Sequence, residues 1–368
     1  MKLEDFRNPE LAKKLVGAIN QAMPSGRFTV MEVCGGQTHT IYKYRLRELL
    51  PKNLRLISGP GCPVCVTPIN YIDKAISLAL DHGCTIYTFG DLMRVPGTTM
   101  SLERAAAEGG DIRAVYSPLQ AMEAAAEAPE QETVFLGIGF ETTMPPVVLS
   151  IVKAAQKGLT NFSVLLSGKR VPPVLDAVLQ SPKINVDGFI TPGHVTAVIG
   201  TAPYAPLCEK YQVPMAVGGF EPLDLLAAVL NLAQQFAAGT HENANAYTRA
   251  VPSIESRRSG AKADGNPKAQ ALMDDVLEVA DDELRGLGVL PQAGFAIRST
   301  YATFDANKRF EIKTDSHEPE GCACGEVLCG VIEPEECPLF RTVCNPDSPI
   351  GSCMVSAEGA CNAAYLFG

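Results

Sequence analysis

The chain has 368 residues, 46% hydrophobic and 20% charged, which fits a folded protein of two or three domains and excludes a disordered one. A formal net charge of −10, 7% aromatic residues and no Trp argue against a binder of the phosphate backbone or a base-stacking platform, so no nucleic-acid partner is expected. No apolar run reaches the roughly 20 residues that span a bilayer, and the start MKLEDFRNPELAKKL is too charged for a secretory leader, so no membrane partner and a cytoplasmic location are expected.

In chain order, strands are predicted at 28–34, 54–60, 85–90 and 112–117, then at 133–141, 162–168, 188–193 and 214–220. Helical patterns fill 69–83, 101–110, 145–158 and 221–239, and a further helix is expected to run from CGGQTH through THTIYKYRLRELL. Strands alternating with helices imply βαβ units and parallel sheets, and runs apolar on both faces imply sheets covered on both sides. Four strands followed by four more predict two similar α/β domains facing a central cleft, with the Ala/Glu-rich segment QAMEAAAEAPEQE between them. The expected division is 1–125, 126–240 and a C-terminal domain over 241–368. In that last part 253–270 reads as a polar loop and 267–286 as a helix with Pro in its first turn and Gly286 at its end. From 311 onward periodicity fades, and ten acidic side chains stand against Lys313 and Arg341.

Four loops after predicted strands carry reactive side chains. Cys34 ends a strand and opens CGGQTH, where a helix start would favour its thiolate; His39 lies five residues on. A buried cysteine beside a capping Thr is the plainer alternative. SGPGCPVC holds Cys62 and Cys65 in a C-x-x-C spacing that suits a disulfide or two bonds to one metal, with half of a structural zinc site as the alternative. GFETT places Glu141, and TPGHV places His194, at corresponding strand ends; a helix-start carboxylate and a structural histidine are their ordinary readings. In parallel α/β sheets ligands bind outside the carboxyl ends of the strands, where all four loops fall. His82 reads as a helix-end residue, Cys84 and Cys208 as core or surface thiols, and His241 and His317 carry no signal.

Of twelve cysteines, seven crowd the end: Cys322, Cys324, Cys329, Cys337, Cys344, Cys353 and Cys361. In a reducing compartment such a group points to metal or redox chemistry. Zinc ribbons pair two C-x-x-C motifs, which are absent here, whereas four dispersed thiolates suit a [4Fe–4S] cluster. Spacing leaves Cys324 as an alternative to Cys322, and Cys353 as an alternative to Cys361.

Together, CGGQTH (34–39), SGPGCPVC (58–65), GFETT (139–143), TPGHV (191–195) and PIGSCMVSAEGAC (349–361) resemble the HypD family of hydrogenase maturation factors, in order and across almost the whole chain. The resemblance implies a redox-active scaffold on which the Fe(CN)2CO unit of [NiFe]-hydrogenase is assembled. The small chaperone HypC and the cyanide donor HypE are the implied partners, and the finished unit passes to the hydrogenase large subunit. It implies that Cys34 holds the iron, Fe(II) carrying CN and CO, with a cysteine of HypC as its counterpart. Cys62 and Cys65 become the redox pair, and His39, Glu141 and His194 cleft residues near that iron. Cys322, Cys337, Cys344 and Cys361 become the [4Fe–4S] ligands. Cys329 stands where members often carry Arg, which sets it outside the ligand set. Two other readings are an Fe–S dependent protein disulfide reductase, which would not need Cys34, and a zinc-stapled binding protein.

Overall fold

The computed structural model describes residues 3–251 and 265–368, so most of the loop expected at 253–270 lies outside the described residues. Eleven strands are present among them: β1 (Phe28–Glu32), β2 (Leu54–Ser58), β3 (Thr85–Thr88), β4 (Ile112–Ala114), β5 (Thr133–Gly139), β6 (Phe162–Gly168), β7 (Gly188–Pro192), β8 (Met215–Gly218), β9 (Asn243–Asn245), β10 (Leu277–Leu284) and β11 (Gly288–Ile297). Two sheets carry the fold, both parallel throughout, in the orders β2-β1-β7-β8-β9 and β4-β3-β5-β6. Every residue of β3, β5, β7 and β8 is buried, as helices on both faces of a parallel sheet require. Edges differ: β2 exposes Arg55, and β4 and β9 are only three residues long.

The α/β class with two parallel sheets is therefore present, but the strands do not sort as four and then four. β5 and β6, expected with the second unit, pair with β3, while β1 and β2 join β7, β8 and β9. The chain leaves the first sheet after β2 and returns to it at β7. Periodicity reports each strand's burial and not its neighbour, so a crossing of this kind leaves no trace in the sequence. The helix expected through 38–50 is broken as well. It runs Gly35–Lys43, then restarts as Leu46–Leu49 after Arg45, whose φ of 51° is left-handed.

The largest departure is at 267–286. Asn266 caps a helix over Pro267–Val276, accepting from the N–H groups of Lys268 and Ala269, but the chain then extends into β10 and pairs antiparallel with β11. Gly286, expected as a helix end, turns this hairpin with φ 85°. The hairpin docks on the end of β6, where Arg170 N–H donates to Ala293 O at 2.8 Å and the buried Lys169 bonds Asp282 Oδ2 at 2.5 Å. Tertiary pairing overrides a helix propensity spread over LEVADDEL. The acidic tail beyond is short helices and turns, with Glu333 paired to Arg47 at 3.1 Å and Arg55 at 3.0 Å. No helix among the described residues is long and apolar enough to cross a membrane.

Candidate functional site

Each residue of CGGQTH is set by what lies against it at the carboxyl ends of β1, β7 and β8. A Cβ on Gly35 would stand 2.4 Å from Glu358 Cβ, and one on Gly36 would stand 3.0 Å from the Phe220 ring. Gln37 is fully buried, and its Nε2 donates to Gly218 O at 3.0 Å. Thr38 Oγ1 donates to Glu32 Oε1 at 2.5 Å, and Thr40 Oγ1 to Phe220 O at 2.7 Å. His39 faces the tail: its Nδ1 lies 3.2 Å from Ala357 O and its ring stands edge-on to Phe367 at 5.3 Å. Cys34, half-buried, thus opens a helix that Glu358 closes from above. Burial, reinforced by the Glu358 and Glu32 carboxylates, pushes its thiol up to about 12. The Gly36 and Gln37 amides favour the thiolate as expected of a helix start, but desolvation exceeds them.

The CPVC loop touches the Cys34 loop backbone to backbone. β1 and β2 pair from Phe28↔Leu54 to Glu32↔Ser58, so both loops leave the sheet side by side, and Gly59 N–H donates to Glu32 O at 2.8 Å. A Cβ on Gly61 would lie 2.1 Å from the carbonyl carbon of Val33 and 2.2 Å from Cys34 N. Cys62 and Cys65 are joined as a buried disulfide with Cα atoms 5.2 Å apart. Because the clash is with backbone, Gly61→Ala forces the loops apart, and overpacking of this kind costs about 3 kcal/mol. Urea unfolding reads this loss; wild-type stability in the variant would mean that the loops do not touch.

Glu141 and His194 occupy different surroundings. Glu141 is 2% exposed, accepts the Val171 N–H at 2.9 Å, and keeps Oε2 without a partner. It is a helix-start carboxylate, as its ordinary reading has it, but for the helix Val171–Gln180 that follows β6. His194 is exposed, stacks on Phe220 at 4.1 Å, and is pushed below its ordinary pKa by partial burial and by Arg249. Phe220 therefore links His194 to Gly36, while the fully buried Tyr204 feels both Glu141 and Cys34.

Burial raises Glu32 and Glu141 from 4.5 to about 7. A carboxyl that holds its proton more tightly when folded adds stability below its unfolded value, and that stability is lost as pH rises through the folded value. Glu141→Gln keeps an acceptor for Val171 and removes the titration. Its share of the stability lost between about pH 4.5 and about pH 7, on the order of 3 kcal/mol, should therefore vanish. Denaturant titrations at several pH values check this, and an unchanged pH profile in the variant would refute it.

In the tail, Cys322, Cys324, Cys337, Cys344, Cys353 and Cys361 line one small cavity closed by Leu339, Phe340 and Met354. Cys324 and Cys353 approach to 2.9 Å between sulfurs. Cys329 is outside, its Sγ 3.5 Å from Gly286 O. Among the described residues no three or more His, Cys, Asp or Glu side chains converge on a position for a single metal ion. The helix Ser352–Val355 packs on Pro63–Val66, so this cavity adjoins the CPVC loop.

Sequence reading missed Glu32, Glu358, Phe220 and Tyr204. Glu32 had a signal, an acid inside the apolar run FTVMEVC, since a carboxyl buried in a strand calls for an explanation. Phe220 and Tyr204 reach the site because the chain returns to the first sheet at β7 and β8, and Glu358 because the tail helix Ala360–Phe367 packs on the helix Gly35–Lys43.

Comparison with known proteins agrees with these motifs. The HypD family model, described as "Hydrogenase formation hypA family", matches residues 10–368. The chain is 45% identical over 376 residues to the hydrogenase maturation factor HypD of Cupriavidus necator, covering 100% of this chain and 97% of that protein. It is 45% identical to HypD of Rhizobium leguminosarum bv. viciae (100% and 95% covered) and 44% to HypD of Azotobacter vinelandii (100% and 96%). With a family model over residues 10–368 and relatives 44–45% identical across the whole chain, the chain belongs to the HypD family of hydrogenase maturation factors.

Proposed function

We propose that this chain is the redox-active scaffold on which the Fe(CN)2CO unit is assembled, with a HypC-type chaperone bound and a HypE-type donor supplying cyanide. The observation that carries the reading is the contact between the Cys34 loop and the disulfide loop at Gly61, with the tail sulfurs behind it. Cyanide and CO are strong-field ligands of low-spin Fe(II), and Cys34 offers the soft thiolate such an iron takes. The half-buried His39, the exposed His194 and the buried Glu141 would hydrogen-bond to that unit or pass protons to it.

Cyanide carried on sulfur as a thiocyanate-like group requires two electrons for release. The Cys62–Cys65 dithiol supplies them: its sulfurs join as a disulfide, the S–CN bond breaks, cyanide goes to iron, and the donor sulfur leaves as a thiol. The tail cavity fits a cluster held by separated thiolates, its donors being all sulfur and its walls apolar. Cys322, Cys337, Cys344 and Cys361 would hold a [4Fe–4S] cluster, leaving Cys324 and Cys353 as a second dithiol. Such a cluster supplies single electrons. Infrared spectra of the anaerobic complex with HypC test the reading: cyanide and CO bands are expected. Their absence, together with dithiol reductase activity toward a protein disulfide, would replace the scaffold by a reductase.

A further inference from the structure

Asp224 is a buried carboxylate with no part in the chemistry above. It lies in the first turn of the helix Pro222–Ala238, which follows β8, and is 4% exposed. Its Oδ2 accepts the Phe220 N–H at 3.1 Å, the Glu221 N–H at 3.0 Å and Arg249 Nη2 at 2.5 Å, while its Oδ1 takes Arg249 Nη1. A two-pronged pair of this kind fixes direction as well as charge. The guanidinium also lies 3.9 Å from the centre of the Phe6 ring and 4.6 Å from that of Tyr247, within the range of cation–π attraction.

Two aromatic rings are what this pair holds. Phe220 is tied at both ends of its main chain, its N–H to Asp224 and its C=O to Thr40 Oγ1 of the CGGQTH helix at 2.7 Å. Its ring fills the space beside Gly36, and His194 stacks on it with ring centres 4.1 Å apart. Tyr247 is wedged against the residues that precede both: a Cβ on Gly193 or on Gly219 would stand 2.4 Å from its ring. An exposed imidazole has several rotamers open to it. Stacking on a ring whose main chain is fixed selects one of them. The Asp224–Arg249 pair therefore reaches His194 by two routes, through Phe220 and through Tyr247.

We propose that Asp224 and Arg249 are positioning residues that hold His194, through Phe220 and Tyr247, beside the Cys34 helix for contact with the diatomic ligands of the iron unit. The inference rests on the scaffold reading and adds to it the pair that orients its histidine. Neither charge is dispensable. Asp224 without Arg249 is a buried carboxylate lacking its cation, and the turn that carries the Phe220 N–H loosens with it.

Two spectra of the full-length protein test it, the first without iron. In the proton NMR spectrum the His194 Cε1–H, assigned by its absence in His194→Ala, should be displaced upfield by the Phe220 ring. Phe220→Leu should abolish that displacement and Arg249→Gln should lose most of it. Asp224→Asn keeps an acceptor for the Phe220 N–H but not the charge, and should lose a smaller part. In the infrared spectrum of the anaerobic complex with HypC, His194→Ala should shift the cyanide bands, and Arg249→Gln should shift them in the same direction. A folded Arg249→Gln with a wild-type His194 resonance overturns the proposal, as does an unmoved resonance in Phe220→Leu. So do cyanide bands that stay put in His194→Ala, or that move there and not in Arg249→Gln. If Arg249→Gln fails to fold, Asp224→Asn decides by the same two readouts. A wild-type complex without cyanide bands would sink the scaffold reading, while the His194 resonance would still report on Asp224 and Arg249.

Discussion

Cys34→Ala is expected to abolish retention of the iron unit while leaving the brown colour of the tail centre intact. The effect should be large because two of the polar side chains beside that sulfur are already committed elsewhere. Glu32 is committed to Thr38 at 2.5 Å and to Cys34 N–H at 3.1 Å, and His39 to Ala357 O at 3.2 Å. Loss of a ligating thiolate should exceed the roughly 10–100-fold penalty of an outer partner. The scaffold should survive. The half-buried thiol is not a hydrogen-bonded cap of its helix, and the loop is held by Gln37, Thr38 and Thr40. Iron content and infrared bands of the complex with HypC measure the first half, and visible absorbance the second. If the absorbance vanishes together with the bands, the two centres are not separate. If the bands persist, position 34 is not the iron's anchor.

The motifs were legible because each loop departs from the apolar strand before it in a way that polypeptide geometry explains. CGGQTH needs two positions without side chains, and Glu358 and Phe220 occupy that space. The C-x-x-C spacing and the tail cysteines announce sulfur chemistry by residue type alone. Two things were hidden. The strand order depends on pairing between segments far apart, so β5 and β6 were grouped with the wrong neighbours. The hairpin β10–β11 looked helical because LEVADDEL carries good helix formers, and only its partner GVLPQAGFAI and the turn at Gly286 make it a strand. That hairpin delivers Arg285 to the Val66 carbonyl and to Ser352, so its place behind the disulfide loop was hidden as well.

Cys62→Ser is expected to leave HypC binding intact and to block cyanide loading. The substitution suits the question because it changes the chemistry and little else. Cys62 is 3% exposed, and its Sγ accepts the Cys65 N–H at 3.2 Å, a bond that a serine oxygen also accepts. Gly61 still packs on Val33 and Cys34, so the loop that presents position 34 keeps its shape. What disappears is the ability of two sulfurs to give up an electron pair by joining. A lone Cys65 can attack a sulfur-bound cyanide but has no partner to resolve the product. Because the two sulfurs act as one unit, Cys65→Ser should match Cys62→Ser, and the double variant should be no worse than either. Co-elution with HypC and cyanide bands in the infrared separate the outcomes. Normal loading in either single variant would remove the dithiol from the reaction, whereas additive partial losses would mean that the two sulfurs act independently.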